Sequence, residues 1–180
     1  NTYSAEVLDG KFELGIMLPK SIKSGKHEIE LIASDSRNNM GKAVIELQIT
    51  AVPSYIKTIL SDDSIDPGTR IDITSSLHDQ ADDLIDTSLG LELVSETGKK
   101  IFTKTIQSNQ KIDYEFSQYA EPGLYVMTSK YQNLAATSLI NVSLVRDVKI
   151  KYENQSVFIE NIGNIPFTDE LTFIIQNALK

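Results

Sequence analysis

The side chains best placed for chemistry in this chain are aspartates gathered in turns. Asp62, Asp63 and Asp66 form one group, Asp79, Asp82, Asp83 and Asp86 a second, and Asp35 with Asn38 and Asn39 a third. Calcium takes six to eight oxygen ligands at about 2.3–2.6 Å, and closely spaced Asp and Asn side chains supply them. None of the groups has the D-x-[DN]-x-[DN]-G spacing of an EF-hand loop, and acidic turns also solubilise a protein and guard its sheet edges. Calcium would use Asp62, Asp63, Asp66, Asp79, Asp82 and Asp83; the expectation is that these are solvated turns and that no cofactor or metal is needed.

Other reactive groups are sparse. There is no cysteine, so no disulfide, thiolate ligand or cysteine nucleophile exists. The two histidines, His27 and His78, are far apart in sequence, and a transition-metal site usually needs three or four ligands. His78 precedes the acidic run Asp79 to Asp83 and is placed to pair with it. G-x-S-x-G, H-E-x-x-H, P-loop and G-x-G-x-x-G motifs are all missing, so the chain is expected not to be an enzyme. Asn141-Val142-Ser143 and Asn154-Gln155-Ser156 are glycosylation sequons, about as many as chance places in a chain of this composition.

Charge and hydropathy narrow the partners. Lysine and arginine total 17 against 25 acidic residues, a net charge of −8 that repels nucleic-acid phosphates and anionic lipid. No stretch approaches the roughly 20 apolar residues of a membrane helix, so direct membrane insertion by this segment is not expected. Tryptophan is absent, which disfavours a planar platform for glycan stacking.

The elements that must position these residues are strands. Apolar residues alternate in His27-Ile29-Leu31-Ala33, Leu47-Ile49, Ile71-Ile73, Leu89-Leu91-Leu93 and Tyr125-Met127, the period of a strand with one buried face. Turn signals separate them at Ser24-Gly25, Asn38-Asn39, Pro67-Gly68, Thr97-Gly98 and Pro122-Gly123. One helical candidate, Leu77 to Thr87, reads better as a turn between strands. Short strands at such intervals predict an all-β sandwich.

An internal echo sets the phase. Ser24-Gly25-Lys26-His27-Glu28-Ile29 and Pro122-Gly123-Leu124-Tyr125-Val126-Met127 each open a two-strand unit, and their glycines are about 98 residues apart, close to one immunoglobulin-type sandwich. The expected organisation is a tandem immunoglobulin-like arrangement. Residues 1–51 hold the closing strands of a preceding β-sandwich, 52–145 a complete one, and 146–180 the opening strands of a following β-domain. Within the complete domain, strands are expected near 55–60, 69–77, 88–95, 100–107, 111–117, 124–131 and 135–145, with Tyr119 bracing the corner before the sixth.

Three fragments carry a resemblance to the immunoglobulin-like and macroglobulin-like β-sandwich repeats of archaeal and bacterial cell-surface proteins. GKHEIELIASDSRNNMGKAVIELQI resembles their closing hairpin, DPGTRIDITSSLHDQADDLIDTSLGLELVSETGKKIF is similar to their opening half, and VFIENIGNIPFTDELTFII resembles the Asn-x-Gly-Asn segment that begins such domains. The resemblance implies an extracellular or cell-surface location and a non-catalytic role as spacer, coat or adhesion and assembly module. Its implied partners are other domains of the same larger protein. Two alternatives stand beside it: an accessory module of an exported hydrolase, and a subunit that self-assembles by strand addition between like chains.

Overall fold

A computed structural model describes Tyr3, residues 5–172 and Ile174. The chain forms two compact units, Asn1–Ser54 with His78–Ile85, and Tyr55–Leu77 with Asp86–Lys180. Among the described residues there is no helix, and Leu77 to Thr87 is the end of a strand followed by a turn.

In the first unit, β1 (Gly25–Ser34) and β2 (Met40–Ile49) pair antiparallel from Gly25 opposite Ile49 to Ser34 opposite Met40. Strict alternation sorts this ribbon into two faces. Ile29, Leu31, Ile45 and Leu47 share one, while Lys26, Glu28, Glu30, Lys42, Glu46 and Gln48 lie on the other. Ion pairs Lys42–Glu30 at 2.8 Å and Lys26–Glu46 at 3.4 Å cross the polar face. On the apolar face Ile45 remains 46% exposed. A two-stranded ribbon has only one neighbour per strand, so its apolar face is only partly covered.

The second unit contains a two-sheet sandwich. Its elements are β3 (Pro53–Leu60, whose first two residues fall in the first unit), β4 (Ser64–Ile65), β5 (Arg70–Asp79, whose last two do likewise), β6 (Ser88–Ser95), β7 (Lys100–Gln107), β8 (Lys111–Glu115), β9 (Gly123–Tyr131) and β10 (Leu134–Val142). One sheet runs β3-β5-β8 and the other β4-β10-β9-β6-β7. Labelled A to G in chain order, this is A-B-E against A′-G-F-C-C′, the strand order of an immunoglobulin-like sandwich without strand D. Each of the seven sequence runs finds its strand. The short β4 is additional; it lies parallel to β10, Ser64 beside Asn141 and Ile65 beside Val142.

Alternating residues from both sheets make the core. Ile71, Ile73 and Leu77 of β5 and Leu89, Leu91 and Leu93 of β6 are fully buried, with Met127 and Ile140 from β9 and β10. At about 25 cal/mol per Å² of apolar surface removed from water, this burial is the main stabilising contribution. Leu144 lies past the end of β10 at Val142 and is 61% exposed.

Beyond the sandwich, β11 (Val148–Glu153) and β12 (Ser156–Asn161) form an antiparallel hairpin. Asn154 and Gln155 join them with φ of 50° and 61°, the pair of left-handed residues that a tight type I′ turn requires. Val148, Ile150, Tyr152, Val157 and Ile159 share its apolar face, which is largely exposed.

Candidate functional site

The acidic groups resolve into turns closed by their own backbones. Asp35 Oδ1 accepts the N–H groups of Arg37 at 2.8 Å and Asn39 at 2.9 Å, and Asn39 Nδ2 donates to Oδ2 at 2.7 Å, while Asn38 takes a φ of 64°. Those bonds hold the Asp35 carboxyl below its ordinary value, the Asn39 side chain first among them. Asp62 Oδ1 accepts the Ser64 N–H at 3.1 Å, the Asp63 carbonyl accepts the Asn141 N–H at 2.8 Å, and the Asp66 carbonyl closes a turn with the Thr69 N–H at 3.2 Å. Asx turns of this kind are why Asp collects in loops.

Asp79 anchors the loop after β5. Its side chain is buried, and Oδ1 accepts the N–H groups of Ala81 at 2.8 Å and Asp83 at 3.0 Å, while buried Oδ2 has no hydrogen-bond partner among the described residues. Burial pushes this carboxyl up, but those two N–H groups, the Ser24 hydroxyl and His78 outweigh it and leave the value lowered. His78 Nδ1 lies 3.2 Å from Asp82 Oδ1, the pairing expected from the sequence. Asp83 faces Lys23 at 3.7 Å. Gln80 is the busiest side chain of the loop: its Oε1 accepts the Val52 N–H at 2.7 Å and its Nε2 donates to the Ile22 carbonyl at 3.0 Å. Among the described residues, no three His, Asp or Glu side chains converge as a metal site would require.

The sequons occupy different settings. Asn141 is exposed on β10, and Asn154 stands at the exposed tip of the last hairpin.

The internal echo is a repeated corner. Tyr125 Oη donates to the Glu121 carbonyl, four residues upstream, at 2.8 Å; His27 Nε2 meets the Lys23 carbonyl, also four residues upstream, at 2.8 Å. Each ring follows a glycine two residues earlier in the left-handed region, Gly123 at φ 129° and Gly25 at φ 111°, which turns the chain into the strand without the strain a Cβ would meet. This is the tyrosine-corner bond of immunoglobulin domains. It belongs to Tyr125, not to Tyr119 as the sequence suggested: Tyr119 is 59% exposed, and its backbone N–H donates to Ser117 Oγ at 3.1 Å.

Two polar devices missed by the sequence reading fix the sandwich. Thr58 of β3, Ser75 of β5 and Ser129 of β9 place three hydroxyls in a ring with separations of 3.1, 2.8 and 2.8 Å, bridging the two sheets through the core. Three hydroxyls so arranged can each donate once and accept once. At the other end, Asn164 spends its whole side chain on main chain. Its Nδ2 donates to the carbonyls of Ala120 at 2.9 Å and Ser143 at 2.8 Å, and its Oδ1 accepts the Val145 N–H at 2.8 Å. Beside it, Gly163 is packed so closely that a Cβ would stand 2.9 Å from the Asp147 nitrogen and closer still to the Val145 carbonyl. Gln118 Nε2 adds a bond to the Ile162 carbonyl at 3.4 Å. The Asn-x-Gly-Asn segment thus latches the last hairpin to the sandwich.

A cleft of about 300 Å³ opens between β7 and β8, where strand D is absent. Tyr114, Phe116, Tyr119 and Tyr125 line it together with Lys99 and Ser117. The rings form a ladder from the edge inward, Phe102 to Tyr114 at 4.7 Å, Tyr114 to Phe116 at 5.0 Å and Phe116 to Tyr125 at 5.3 Å, the last two edge to face. Desolvation raises the Tyr114 and Tyr125 phenols above their ordinary value.

No family model matches this chain, and no curated protein matches it. Among solved structures it is similar to Salmonella alpha-2-macroglobulin reacted with methylamine, at 18% identity and a TM-score of 0.44 over 73% of this chain and 12% of that one. It is similar to the amphioxus IgVJ-C2 molecule at 14% identity and a TM-score of 0.32, over 67% of this chain and 61% of that one. Dimeric latent PorU from Porphyromonas gingivalis aligns at 12% identity and a TM-score of 0.35, over 67% of this chain and 12% of that one. The chain therefore spans less than two thirds of each of these proteins. The fold assignment rests on the strand order.

Proposed function

We propose that this chain is a non-catalytic segment of an exported cell-surface or extracellular protein, a spacer, coat or adhesion module whose partners are other domains of the same larger protein. The observation that carries the reading is the Asn164 latch. A side chain with all three of its bonds on main chain, beside a glycine that tolerates no Cβ, is built to hold one β-element firmly against another. The repeated corner supports it, because His27 gives the β1–β2 ribbon the opening of a closing hairpin. In this reading residues 1–51 complete a preceding sandwich, 52–145 form a whole one, and 146–180 open the next. The module works without a bound ion, and millimolar calcium that raised its melting temperature by several degrees would overturn that.

Residual dipolar couplings test the latch. In the parent protein the β11–β12 amides share one alignment tensor with the sandwich; Asn164→Ala and Gly163→Ala each release them while sandwich couplings persist. Unchanged couplings in both variants would refute the spacer mechanism. A second reading, self-assembly by strand addition, is favoured by the backbone edges that the two-stranded β1–β2 and β11–β12 sheets keep free among the described residues. Sedimentation showing a monomer at high concentration would eliminate it.

A further inference from the structure

The two sequons match the same motif and stand in opposite settings. Asn141-Val142-Ser143 straddles the end of β10, where Val142 is only 1% exposed in the core. Its backbone is fully engaged. The Asn141 N–H donates to the Asp63 carbonyl and the Ser143 N–H to the Ile65 carbonyl, each at 2.8 Å, while the Ser143 carbonyl accepts Asn164 Nδ2 at 2.8 Å. An enzyme that modifies an asparagine must take the whole tripeptide into its own site. Here that would draw Val142 out of the core and open the Asn164 latch.

Asn154-Gln155-Ser156 needs no such unfolding. Asn154 and Gln155 are the two turn residues at the tip of the β11–β12 hairpin, and all three residues of the sequon are exposed. Their φ of 50° and 61° already fold the chain back on itself, so the tripeptide is offered as a loop tip that can enter another protein's site without loss of packing.

A neighbouring ring points to a sugar. Tyr152 is 73% exposed, more than any other aromatic residue among those described. It stands two residues before Asn154, the spacing at which residues of an extended strand share a side, about 7 Å apart along the chain. A hexosamine joined to the Asn154 amide spans that distance. The C–H face of a pyranose packs on an aromatic ring because the ring face is electron-rich.

We propose that Asn154 is an N-glycosylation site whose first sugar, an N-acetylhexosamine, covers Tyr152, and that Asn141 of the folded chain stays unmodified. The donor is an oligosaccharide on a lipid diphosphate. Asn154 Nδ2 attacks C1 of the first sugar; the C1–N bond forms as the C1–O bond breaks, the lipid diphosphate leaves with the electron pair, and the amide gives one proton to a base of the transferase. The biological setting rests on the exported reading, since sequons are glycosylated in secreted chains.

The test supplies enzyme and donor and so does not depend on that reading. Purified, folded chain is incubated with a single-subunit oligosaccharyltransferase and chitobiose on a lipid diphosphate, and intact mass with peptide mapping reads the product. One glycan on Asn154 is expected: Asn154→Gln and Ser156→Ala each abolish it, and Asn141→Gln keeps it. Hydrogen exchange then reads the contact with Tyr152. The glycan slows exchange of the β11–β12 amides about threefold or more in the parent, and not in Tyr152→Thr, which is still modified. A folded chain that gains no mass, or gains it at Asn141, overturns the proposal and leaves the exported reading standing. Exchange as fast with the glycan as without it overturns the sugar–ring contact.

Discussion

Ser129→Ala removes one hydroxyl from the ring that crosses the sandwich core, and its cost follows from counting donors. In the intact ring three O–H groups serve three acceptors, and Ser75 and Ser129 are fully buried. Without Ser129, only the 3.1 Å contact between Thr58 and Ser75 survives, so one hydroxyl keeps no acceptor inside the protein. Two hydrogen bonds at about 1 kcal/mol each, plus roughly 1 kcal/mol for the stranded group, predict a loss of about 2–3 kcal/mol. Thr58→Val also removes two of the three bonds and, leaving Ser75 and Ser129 bonded at 2.8 Å, strands one hydroxyl between two fully buried serines, so it costs about 2–3 kcal/mol as well. The triple variant Thr58→Val, Ser75→Ala, Ser129→Ala removes every partner together and returns to within about 1 kcal/mol of the parent, because no polar atom is left unmet. Urea unfolding followed by far-UV circular dichroism reads the series; with no tryptophan, tyrosine emission is the second probe. A Ser129→Ala midpoint loss of about 1–2 M is expected. A single variant that melts with the parent, or a triple variant as weak as the sum of its parts, would refute this account of the bridge.

Two further outcomes are expected. Tyr125→Phe deletes the bond to the Glu121 carbonyl and lowers sandwich stability by about 1–1.5 kcal/mol in the same assay, whereas Tyr119→Phe leaves it unchanged; the reverse order would restore Tyr119 as the corner. Lowered carboxyl values at Asp35, Asp79 and Glu92, the last held down by hydrogen bonds from Lys100 and Lys130, contribute stability that is complete above the ordinary values of 3.8 and 4.5 and is lost as pH falls through the lowered folded ones. Melting temperature should therefore drop as pH goes below about 4, less steeply in Glu92→Gln, and a flat profile would contradict the shifts.

Strands were legible in this sequence because each sandwich strand buries one face, which writes a period of two into Ile71-Ile73 and Leu89-Leu91-Leu93. The two residues of β4 are too few to show a period, and parallel pairing to β10 leaves no hairpin turn to mark it. Proximity in the fold explains the other gaps. Thr58, Ser75 and Ser129 look like ordinary strand serines and threonine until two sheets bring them together, and Asn164 finds its partners 21 and 44 residues upstream. Nearness to Pro122-Gly123 points to Tyr119 as the corner; the signal that identifies Tyr125 is the matching place of His27 in the echo. Turn-bound aspartates were legible as turns, since Asp bonding to the next N–H groups is a local property.

The paired corners have a use beyond bracing. A left-handed glycine followed two residues later by a ring whose polar tip returns to the carbonyl four residues back is a local unit, independent of what the neighbouring strands carry. Because histidine fills the position as well as tyrosine, a search for tyrosine alone would undercount it. Read as Gly-x-[Tyr/His], it flags where an alternating strand opens in a β-rich sequence, and in this chain the two glycines that begin it stand 98 residues apart, at Gly25 and Gly123.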